Sequence, residues 1–339
     1  MNSQPLNIGL IGAGRIGKVH AETLAFRVPE ARPLWVADLN RPAAEQVAAR
    51  CRIPNVTDTP DPILADPDVQ AVLICSSTDT HADLIIRAAR AGKHIFCEKP
   101  IAHRLAQIDA ALAAVQKAGV KLQIGFNRRF DPNFARIRAA VASGEIGSPR
   151  LLHIVSRDPA PPPISYVKVS GGLFLDMTIH DFDMARFLIG DEVEEVYTTG
   201  GVMVDPAIGA AGDLDTAMVT LRFRGGVIGM IEDCRQSAYG YDQRAEVFGS
   251  KGKIAIDNCY ANQATISTGE SVHRDKPFNF FIDRYPESYS NEIRAFVEAV
   301  VHDKPTPVTG LDGRVPVVMG LAARKSFDEH RPVRLDEIR

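Results

Sequence analysis

The segment from Gly171 to Asp183 reads GGLFLDMTIHDFD, and its carboxylates and imidazole are suited to proton transfer. If the segment forms one helix, Asp176, His180 and Asp183 stand at i, i+4 and i+7 and share a face. Apolar residues flank that face on both sides, which is not typical of a solvated surface. Because an apolar setting tunes the pKa values of such groups, the pattern indicates a lined catalytic pocket.

Two other interpretations fit the same residues. Aspartates in the first turn of a helix can serve only as caps that offset the helix dipole. The Asp-x3-His-x2-Asp spacing can also hold a metal ion. The rest of the sequence shows no four-ligand metal constellation, so we predict no metal.

A glycine-rich turn near the N-terminus predicts a dinucleotide site. Leu6 to Ile11 reads as an apolar strand, and Gly12, Gly14 and Gly17 follow it at the start of a helical pattern. The first glycine permits the turn, the second lets the backbone approach a pyrophosphate, and the third lets the helix pack on the strand. The helix N-terminus adds N–H donors and a positive dipole for the phosphates.

The end of the next predicted strand carries a carboxylate that selects the cofactor. The strand Pro33 to Ala37 ends at Asp38, about 20 residues after the glycine motif. A carboxylate there accepts hydrogen bonds from the ribose hydroxyls and repels a 2′-phosphate. NAD is therefore favoured over NADP, and Arg41 is the one nearby residue that argues against a strict preference.

Strands and helices then alternate, as expected of a parallel sheet. The strands Val69 to Cys75, His94 to Cys97 and Lys121 to Gly125 end at the carboxyl edge, where open α/β sheets bind ligands. Lys99 follows the middle strand and is expected to lie beside the nicotinamide, whereas His20 is expected to be structural. The predicted cofactor-binding residues are Gly12, Gly14, Arg15, Ile16, Gly17, Asp38, Ser76, Ser77, Thr78, His81, Glu98 and Lys99.

The second half of the chain changes pattern and predicts an α+β domain with a mostly antiparallel open sheet. We expect an N-terminal α/β Rossmann domain over 1–126 and this second domain over 127–339, with the C-terminal helix able to pack back on the first. The predicted strands are Leu151 to Ser156, Val193 to Val204, Thr216 to Phe223, Val227 to Glu232, Arg244 to Phe248 and Lys253 to Asp257. The predicted helices are Asp131 to Ala142, Ser290 to Val301 and Arg314 to Phe327.

The bulk composition argues against several classes of protein. The 339 residues carry a formal net charge of −3, so no nucleic-acid partner is expected. No apolar run approaches the ~20 residues that span a bilayer, and the N-terminus does not resemble a signal peptide. Five scattered cysteines indicate reduced thiols and hence a cytoplasmic location.

These motifs together resemble the glucose–fructose oxidoreductase / inositol dehydrogenase (Gfo/Idh/MocA) family. The resemblance rests on Glu98-Lys99-Pro100 after a dinucleotide fold and on the segment 171–183, and it covers essentially the whole chain. Four further segments are similar to the inositol dehydrogenase branch of the family: 125–131, 157–163, 213–216 and 239–242.

The resemblance implies a catalytic trio of Lys99, Asp176 and His180, with NAD as cofactor. It implies oxidation of a cyclitol ring hydroxyl, from myo-inositol to 2-keto-myo-inositol in inositol catabolism, and a homotetramer built through the second-domain sheet. A cyclitol needs many convergent donors and acceptors. The expected substrate-binding residues are Arg129, Asp158, Asp176, His180, Asp183 and Tyr241.

Some choices remain open at this stage. Arg128 competes with Arg129, one of the two being expected in a salt bridge, and Tyr239 competes with Tyr241 because the two would share a face of a strand. The substrate is alternatively another inositol isomer or a pyranose sugar. A hypothesis from another class of protein is a non-catalytic regulator that senses NAD(H). Such a sensor does not need the intact catalytic trio.

Overall fold

The computed structural model describes residues 5–339, which divide into two compact units. The first unit contains residues 5–130 and 287–315, and the second contains 131–286 and 316–339. This division differs from the predicted ranges 1–126 and 127–339. The segment 287–315 groups with the first unit because its helix supplies Ile293, Phe296 and Val297 to that unit's hydrophobic core.

The first unit is built on six parallel strands in the order β3-β2-β1-β4-β5-β6. This is the order of a doubly wound nucleotide-binding sheet, in which ligands bind where the strand order reverses, here between β1 and β4. The strands are β1 Leu6–Ile11, β2 Ala31–Ala37, β3 Asn55–Thr57, β4 Ala71–Ile74, β5 His94–Glu98 and β6 Leu122–Gly125.

Helices alternate with these strands. They are α1 Arg15–Phe26, α2 Arg41–Cys51, α3 Asp61–Ala65, α4 Thr78–Arg90 and α5 Leu105–Ala118, followed by a 3₁₀ turn at Asn127–Phe130. The polar run that follows β4, Ser76 to His81, leads directly into α4, which begins at Thr78. Hydroxyl and carboxylate residues favour the start of a helix, which explains why this polar run is helical.

The second unit is built on seven strands in the order β12-β11-β7-β10-β9-β8-β15. Only β7 and β10 pair in parallel, so the predicted mostly antiparallel sheet and the predicted fold class are confirmed. The strands are β7 Pro149–Arg157, β8 Val193–Gly201, β9 Thr216–Phe223, β10 Ile228–Cys234, β11 Asp242–Gly249, β12 Lys253–Ile256, the hairpin β13 Thr265–Ser267 with β14 Val272–Arg274, and β15 Val333–Arg334.

One face of this sheet is buried and the other is open within the single chain. On β9, Ala217, Val219, Leu221 and Phe223 are buried, while the intervening residues are partly or fully exposed. This alternation is the mark of an antiparallel sheet covered on one side. The buried face therefore supplies the core of the second unit.

Helices of the remaining chain pack around this sheet or complete the first unit. They are α6 Pro132–Ala142, α7 Ile164–Val167, α8 Gly172–Asp176, α9 Thr178–Ile189, α10 Pro206–Ala210, α11 Phe281–Arg284, α12 Pro286–Val301 and α13 Gly310–Glu329, with a 3₁₀ turn at Leu335–Glu337. The unit boundary at Pro316 falls inside α13. Within residues 5–339 no helix combines the length and apolar character needed to cross a bilayer.

Candidate active site

In the glycine turn after β1, the space beside Gly14 is open, whereas Gly12 and Gly17 are closely packed. Gly12 has φ +106°, and a Cβ there would lie 2.5 Å from the backbone of Cys75. A Cβ on Gly17 would lie 2.0 Å from the carbonyl oxygen of Gly12, whereas the space beside Gly14 is open. These constraints match the three roles predicted for the glycines. Gly14 also precedes α1 without any side-chain cap, so the first N–H groups of that helix are available to phosphates.

Asp38 lies beside this turn in the first unit. Its Oδ2 accepts a hydrogen bond of 2.6 Å from the backbone N–H of Ala13, and its Oδ1 accepts one of 2.8 Å from Asn40. The carboxylate is thereby oriented at the end of β2, next to the glycine turn. The cradle, the uncapped helix start and this carboxylate together fit a dinucleotide with an unphosphorylated ribose.

The predicted cofactor residues after β4 form the start of α4. The hydroxyls of Ser76 and Thr80 lie 2.6 Å apart, and that of Thr80 also donates to the carbonyl oxygen of Ser77. The ring of His81 is buried, with Nδ1 2.8 Å from the carbonyl oxygen of Pro100 and Nε2 3.0 Å from that of Ser76. Both ring nitrogens of His81 thus face protein carbonyls, and its contact with a cofactor stays a prediction.

Glu98 is the last residue of β5, and Lys99, which we predicted beside the nicotinamide, follows it. The carboxylate of Glu98 lies 2.6 Å from Nε2 of His20, in the interior of the first unit. The structure therefore turns the Glu98 side chain toward the core. Lys99, the next residue, is half-buried and precedes a cis peptide bond to Pro100.

The helix predicted through residues 171–183 is interrupted. Helix α8 ends at Asp176 and α9 begins at Thr178, with Met177 between them at φ −99° and ψ −63°. Asp176 and His180 therefore belong to two successive helices and not to the one uninterrupted helix that we predicted. Both are partly exposed, whereas Asp183 is completely buried on α9.

Asp176 is held by Arg235 and Tyr166, two residues that we did not predict from the sequence. Both terminal nitrogens of Arg235 lie 3.1 Å from Oδ2 of Asp176, and the hydroxyl of Tyr166 donates to Oδ1 at 2.8 Å. Arg235 is 1% exposed, so this ion pair is shielded from solvent. Charge-assisted hydrogen bonds of this kind fix the orientation of a carboxylate.

The segment 213–216, which contributes to the family resemblance, has a structural role. Asp213 accepts hydrogen bonds of 3.0 and 3.2 Å from the N–H of Leu173, at the start of α8. Asp215 accepts hydrogen bonds from the backbone N–H groups of residues 203–205. Burial raises the pKa of Asp215, but these bonds outweigh it and hold the pKa below its usual range. The first aspartate therefore supports the helix that carries Asp176.

Of the two arginines after β6, Arg129 forms an ion pair in the first unit. Its Nη2 lies 2.9 Å from Oδ1 of Asp312. Burial raises the pKa of Asp312, whereas the charge of Arg129 and hydrogen bonds from Thr309 lower it. The lowering effects are larger, so the pKa of Asp312 is below its ordinary value. Arg129, which we assigned to substrate, therefore forms an ion pair with the protein, and its contact with substrate stays a prediction. Arg128 is buried.

The two tyrosines before β11 occupy different environments. They lie in a turn and not on a strand, because β11 begins at Asp242 and Gly240 has φ +125°. The expectation of a shared strand face is therefore wrong. Tyr239 is exposed and its hydroxyl bonds Asp242 at 2.5 Å, whereas Tyr241 is buried against the ring of Tyr285.

Asp158 directly follows β7 and is half-buried. Its backbone N–H donates to the carbonyl oxygen of Cys234, the last residue of β10, at 3.0 Å. The residue is thereby placed at the ends of two parallel strands, in the same unit as Asp176. Its predicted contact with substrate is compatible with this position and stays a prediction.

The described residues contain one set of potential metal ligands, and it is not the set considered from sequence. Ligand atoms of His20, Glu98 and Glu292 lie within 4.8 Å of one another in the first unit. No such grouping of Asp176, His180 and Asp183 occurs among residues 5–339.

Comparison with known proteins identifies both halves of the chain. Residues 6–126 match an oxidoreductase family with an NAD-binding Rossmann fold, and residues 134–255 match the GFO/IDH/MocA C-terminal domain. Fold and matches together define an NAD-binding oxidoreductase with a separate C-terminal domain. The chain belongs to the Gfo/Idh/MocA oxidoreductase family, as its motifs predicted.

Several relatives align over nearly the whole chain. Myo-inositol 2-dehydrogenase from Thermotoga maritima is 46% identical over 98% of this chain and 99% of its own length. Inositol 2-dehydrogenase from Rhizobium meliloti is 46% identical over 97% of this chain and 98% of its own length. The crystal structure of scyllo-inositol dehydrogenase from Lactobacillus casei with bound NAD(H) and scyllo-inositol matches with a TM-score of 0.92, at 29% identity over 98% of this chain and 100% of that one.

Proposed function

We propose that the protein is an NAD-dependent dehydrogenase that oxidises a ring hydroxyl of a cyclitol, converting myo-inositol to 2-keto-myo-inositol. The observation that carries the proposal is Asp176, held by Arg235 and Tyr166 at the helix break that precedes His180. A regulator that only senses NAD(H) does not need a carboxylate that is fixed in this way. The full-length likeness to inositol dehydrogenases supports the choice of substrate.

The cofactor would be held by the glycine turn, the start of α1 and Asp38. When bound, NAD would supply the hydride acceptor for the carbinol hydrogen of the substrate. The adenosine ribose hydroxyls would donate to the carboxylate of Asp38, and the phosphates would accept from the backbone N–H groups after Gly14. In this proposal the cofactor domain is the predicted range 1–126 together with the segment 287–315, and the remainder of 127–339 is the substrate domain.

His180 and Lys99 divide the work on the reacting hydroxyl. His180 takes the hydroxyl proton as general base. Lys99 stabilises the alkoxide oxygen as its negative charge develops, and it shares in the proton relay. Asp176 accepts a hydrogen bond from the substrate in the orientation set by Arg235. The remaining ring hydroxyls are read by Arg129, Asp158, Asp183 and Tyr241.

Formation of NADH with a panel of inositols and sugars tests this function. We expect myo-inositol to be oxidised with the highest kcat/KM and NADP to be a poor substitute for NAD. A preference for scyllo-inositol or a pyranose would select the alternative within the same class. Binding of NADH without turnover of any polyol would instead support a sensor. A Lys99→Ala variant is the control for background oxidation.

The open face of the second-unit sheet supports a homotetramer. Phe248, Leu151 and Ile228 are cross-strand neighbours on β11, β7 and β10, and each is at least 40% exposed. An apolar row of this kind is typical of a face that a second copy covers. Leu151→Asp should lower the mass measured by light scattering. Leu311→Asp, at an exposed leucine of the first unit, is the matched control and should leave the mass unchanged.

The remaining assignments follow from composition. All five cysteines are free, which supports a reducing cytoplasmic location. The proposed role in inositol catabolism follows from the proposed substrate. The net charge of −3 gives no electrostatic reason for nucleic acid or an anionic membrane as partner. Fractionation of cells into cytosolic and membrane pools tests the location.

A further inference from the structure

The two sequence neighbours of Lys99, Glu98 and Pro100, each contact a buried histidine. On the N-terminal side of Lys99, Oε1 of Glu98 lies 2.6 Å from Nε2 of His20. On its C-terminal side, the carbonyl oxygen of Pro100 lies 2.8 Å from Nδ1 of His81. The exposure of His20 is 0% and that of His81 is 2%, so water does not compete for either contact.

The two histidines connect Lys99 to the elements that carry the predicted cofactor residues. His20 is on α1, the helix that follows the glycine turn, and it ties that helix to the end of β5. His81 is in the first turn of α4, and its Nε2 lies 3.0 Å from the carbonyl oxygen of Ser76 after β4. His81 therefore lies between the end of β4 and the chain that follows β5.

The surroundings of His20 make its contact with Glu98 specific. The rings of Phe96 and Tyr289 meet the imidazole edge-on, with centroids 5.2 and 5.6 Å away. The titratable groups around the contact are Glu98, Glu292, Cys75 and Cys97. Burial and the charge of Glu98 raise the pKa of Glu292 well above its ordinary value. The same two effects raise the pKa values of the Cys75 and Cys97 thiols. The uncharged forms of these three groups are therefore favoured, and Glu98 is the carboxyl group that His20 contacts at 2.6 Å.

The geometry favours a hydrogen bond over a metal site. His20, Glu98 and Glu292 offer three ligand atoms, but the His20–Glu98 contact is only 2.6 Å. Two ligands on one tetrahedral zinc-like ion, each about 2.0–2.2 Å from it, stand more than about 3 Å apart. The imidazole and the carboxylate are therefore bonded directly to each other.

We propose that His20 and His81 are positioning residues that hold Lys99 through its two neighbours. The inference rests on the proposed catalytic role of Lys99. Anchoring Glu98 and Pro100 fixes the backbone on both sides of the lysine, so its ammonium group is presented in one geometry. Loss of either anchor lets the group sample others, which lowers turnover more than it lowers cofactor binding.

Steady-state kinetics with the full-length enzyme test the proposal first. We expect His20→Leu and His81→Leu to lower kcat about 10- to 100-fold while the Kd for NADH changes less than about threefold. His20→Gln keeps a donor near the position of Nε2 and should recover most of the loss. His94→Leu, at the opposite end of β5, is the control and should change kcat less than about twofold. An equal fall in kcat and in NADH affinity would show that the histidines shape the nucleotide site and would overturn the proposal.

Chemical labelling of Lys99 tests the proposal without turnover. The rate of acetylation of Lys99 in the cofactor-free protein is measured by mass spectrometry against Lys117, an exposed lysine of the same unit. We expect this ratio to change at least about threefold in His20→Leu and to return toward the wild-type value in His20→Gln. An unchanged ratio in both leucine variants refutes the positioning role, even if the wild type oxidises no inositol. If a leucine variant does not fold, the acetylation ratio of Lys99 to Lys117 is compared between His20→Gln and Glu98→Gln, and the same test applies.

Discussion

The guanidinium of Arg235 contacts a single oxygen of Asp176 through both of its terminal nitrogens, each at 3.1 Å. The other oxygen, Oδ1, accepts a hydrogen bond of 2.8 Å from the hydroxyl of Tyr166. A carboxylate that is held by charge-assisted hydrogen bonds has a fixed acceptor direction. In the proposed reaction this direction orients the substrate hydroxyl toward His180.

Arg235→Met should lower kcat/KM by about 10- to 100-fold, because Asp176 loses charge-assisted hydrogen bonds of about 1.5–3 kcal/mol. Arg235→Lys should fall between the wild type and this variant, since a lysine replaces two donors by a point charge. Kinetics together with thermal unfolding provide the measurement. Arg222→Met, at an exposed arginine on β9, is the control. Wild-type kinetics for Arg235→Met would contradict the assignment.

Asp38→Asn should weaken the preference for NAD over NADP by about 1–3 kcal/mol. The asparagine keeps an oxygen for the N–H of Ala13, so the glycine turn stays supported while the repulsion toward a 2′-phosphate is removed. Asp38→Ala should change selectivity in the same direction and also lose that support. The ratio of kcat/KM for the two cofactors is the measurement. A wild type that prefers NADP would be incompatible with the role of Asp38.

Lys99→Ala and His180→Ala should each lower kcat by about 10²–10⁴-fold while NADH binding stays nearly intact. The double variant should lose less than the product of the two factors, because both residues act on one proton-transfer event. Fluorescence titration of NADH beside steady-state rates checks both statements. If the losses multiply, the two residues act on separate steps.

Deoxy-inositols that retain the reacting hydroxyl should lose kcat/KM by roughly 1–3 kcal/mol per missing contact, because buried groups of the site are left unpaired. Asp158→Asn should change the ranking of inositol isomers more than it changes NADH affinity. A rate panel of isomers, deoxy analogues and aldopyranoses on both proteins is the measurement. A wild type that ignores every inositol and oxidises a linear or acidic substrate would refute the cyclitol site.

Glu292→Gln should stabilise the protein increasingly as the pH rises above about 4.3, the ordinary pKa of glutamate. The pKa of buried Glu292 is raised, so its proton is kept in the folded state and lost on unfolding, and stability falls with rising pH in that window. Glutamine removes this loss, which amounts to at most about 1.4 kcal/mol per pH unit. Thermal unfolding at pH values from about 5 to 8 tests it. A constant difference between the two proteins would mean that Glu292 is ionised when folded.

Local patterns predicted the nucleotide half well, because a strand, three glycines and Asp38 all lie within 40 residues of sequence. The break at Met177 escaped prediction, since apolar spacing continues through it and neither glycine nor proline marks it. Helical spacing alone therefore placed Asp176 and His180 on one helix.

Contacts between distant segments were not accessible from sequence. Arg235 meets Asp176 across 59 residues and Arg129 meets Asp312 across 183, so no motif contains either pair. Whether an arginine faces substrate or a neighbouring carboxylate depends on such contacts. The contact of the Glu98 side chain with His20, 78 residues away, is another pair of this kind.

The grouping of 287–315 with the first unit has a consequence for synthesis of the protein. Ile293, Phe296 and Val297 lie in the same hydrophobic core as residues of β1 and β2, but the ribosome makes them only after the whole segment 131–286. The nucleotide-binding unit thus lacks part of its interior until α12 has emerged. A fragment that stops at residue 130 would expose the apolar surface that these three side chains cover, which makes it prone to aggregate.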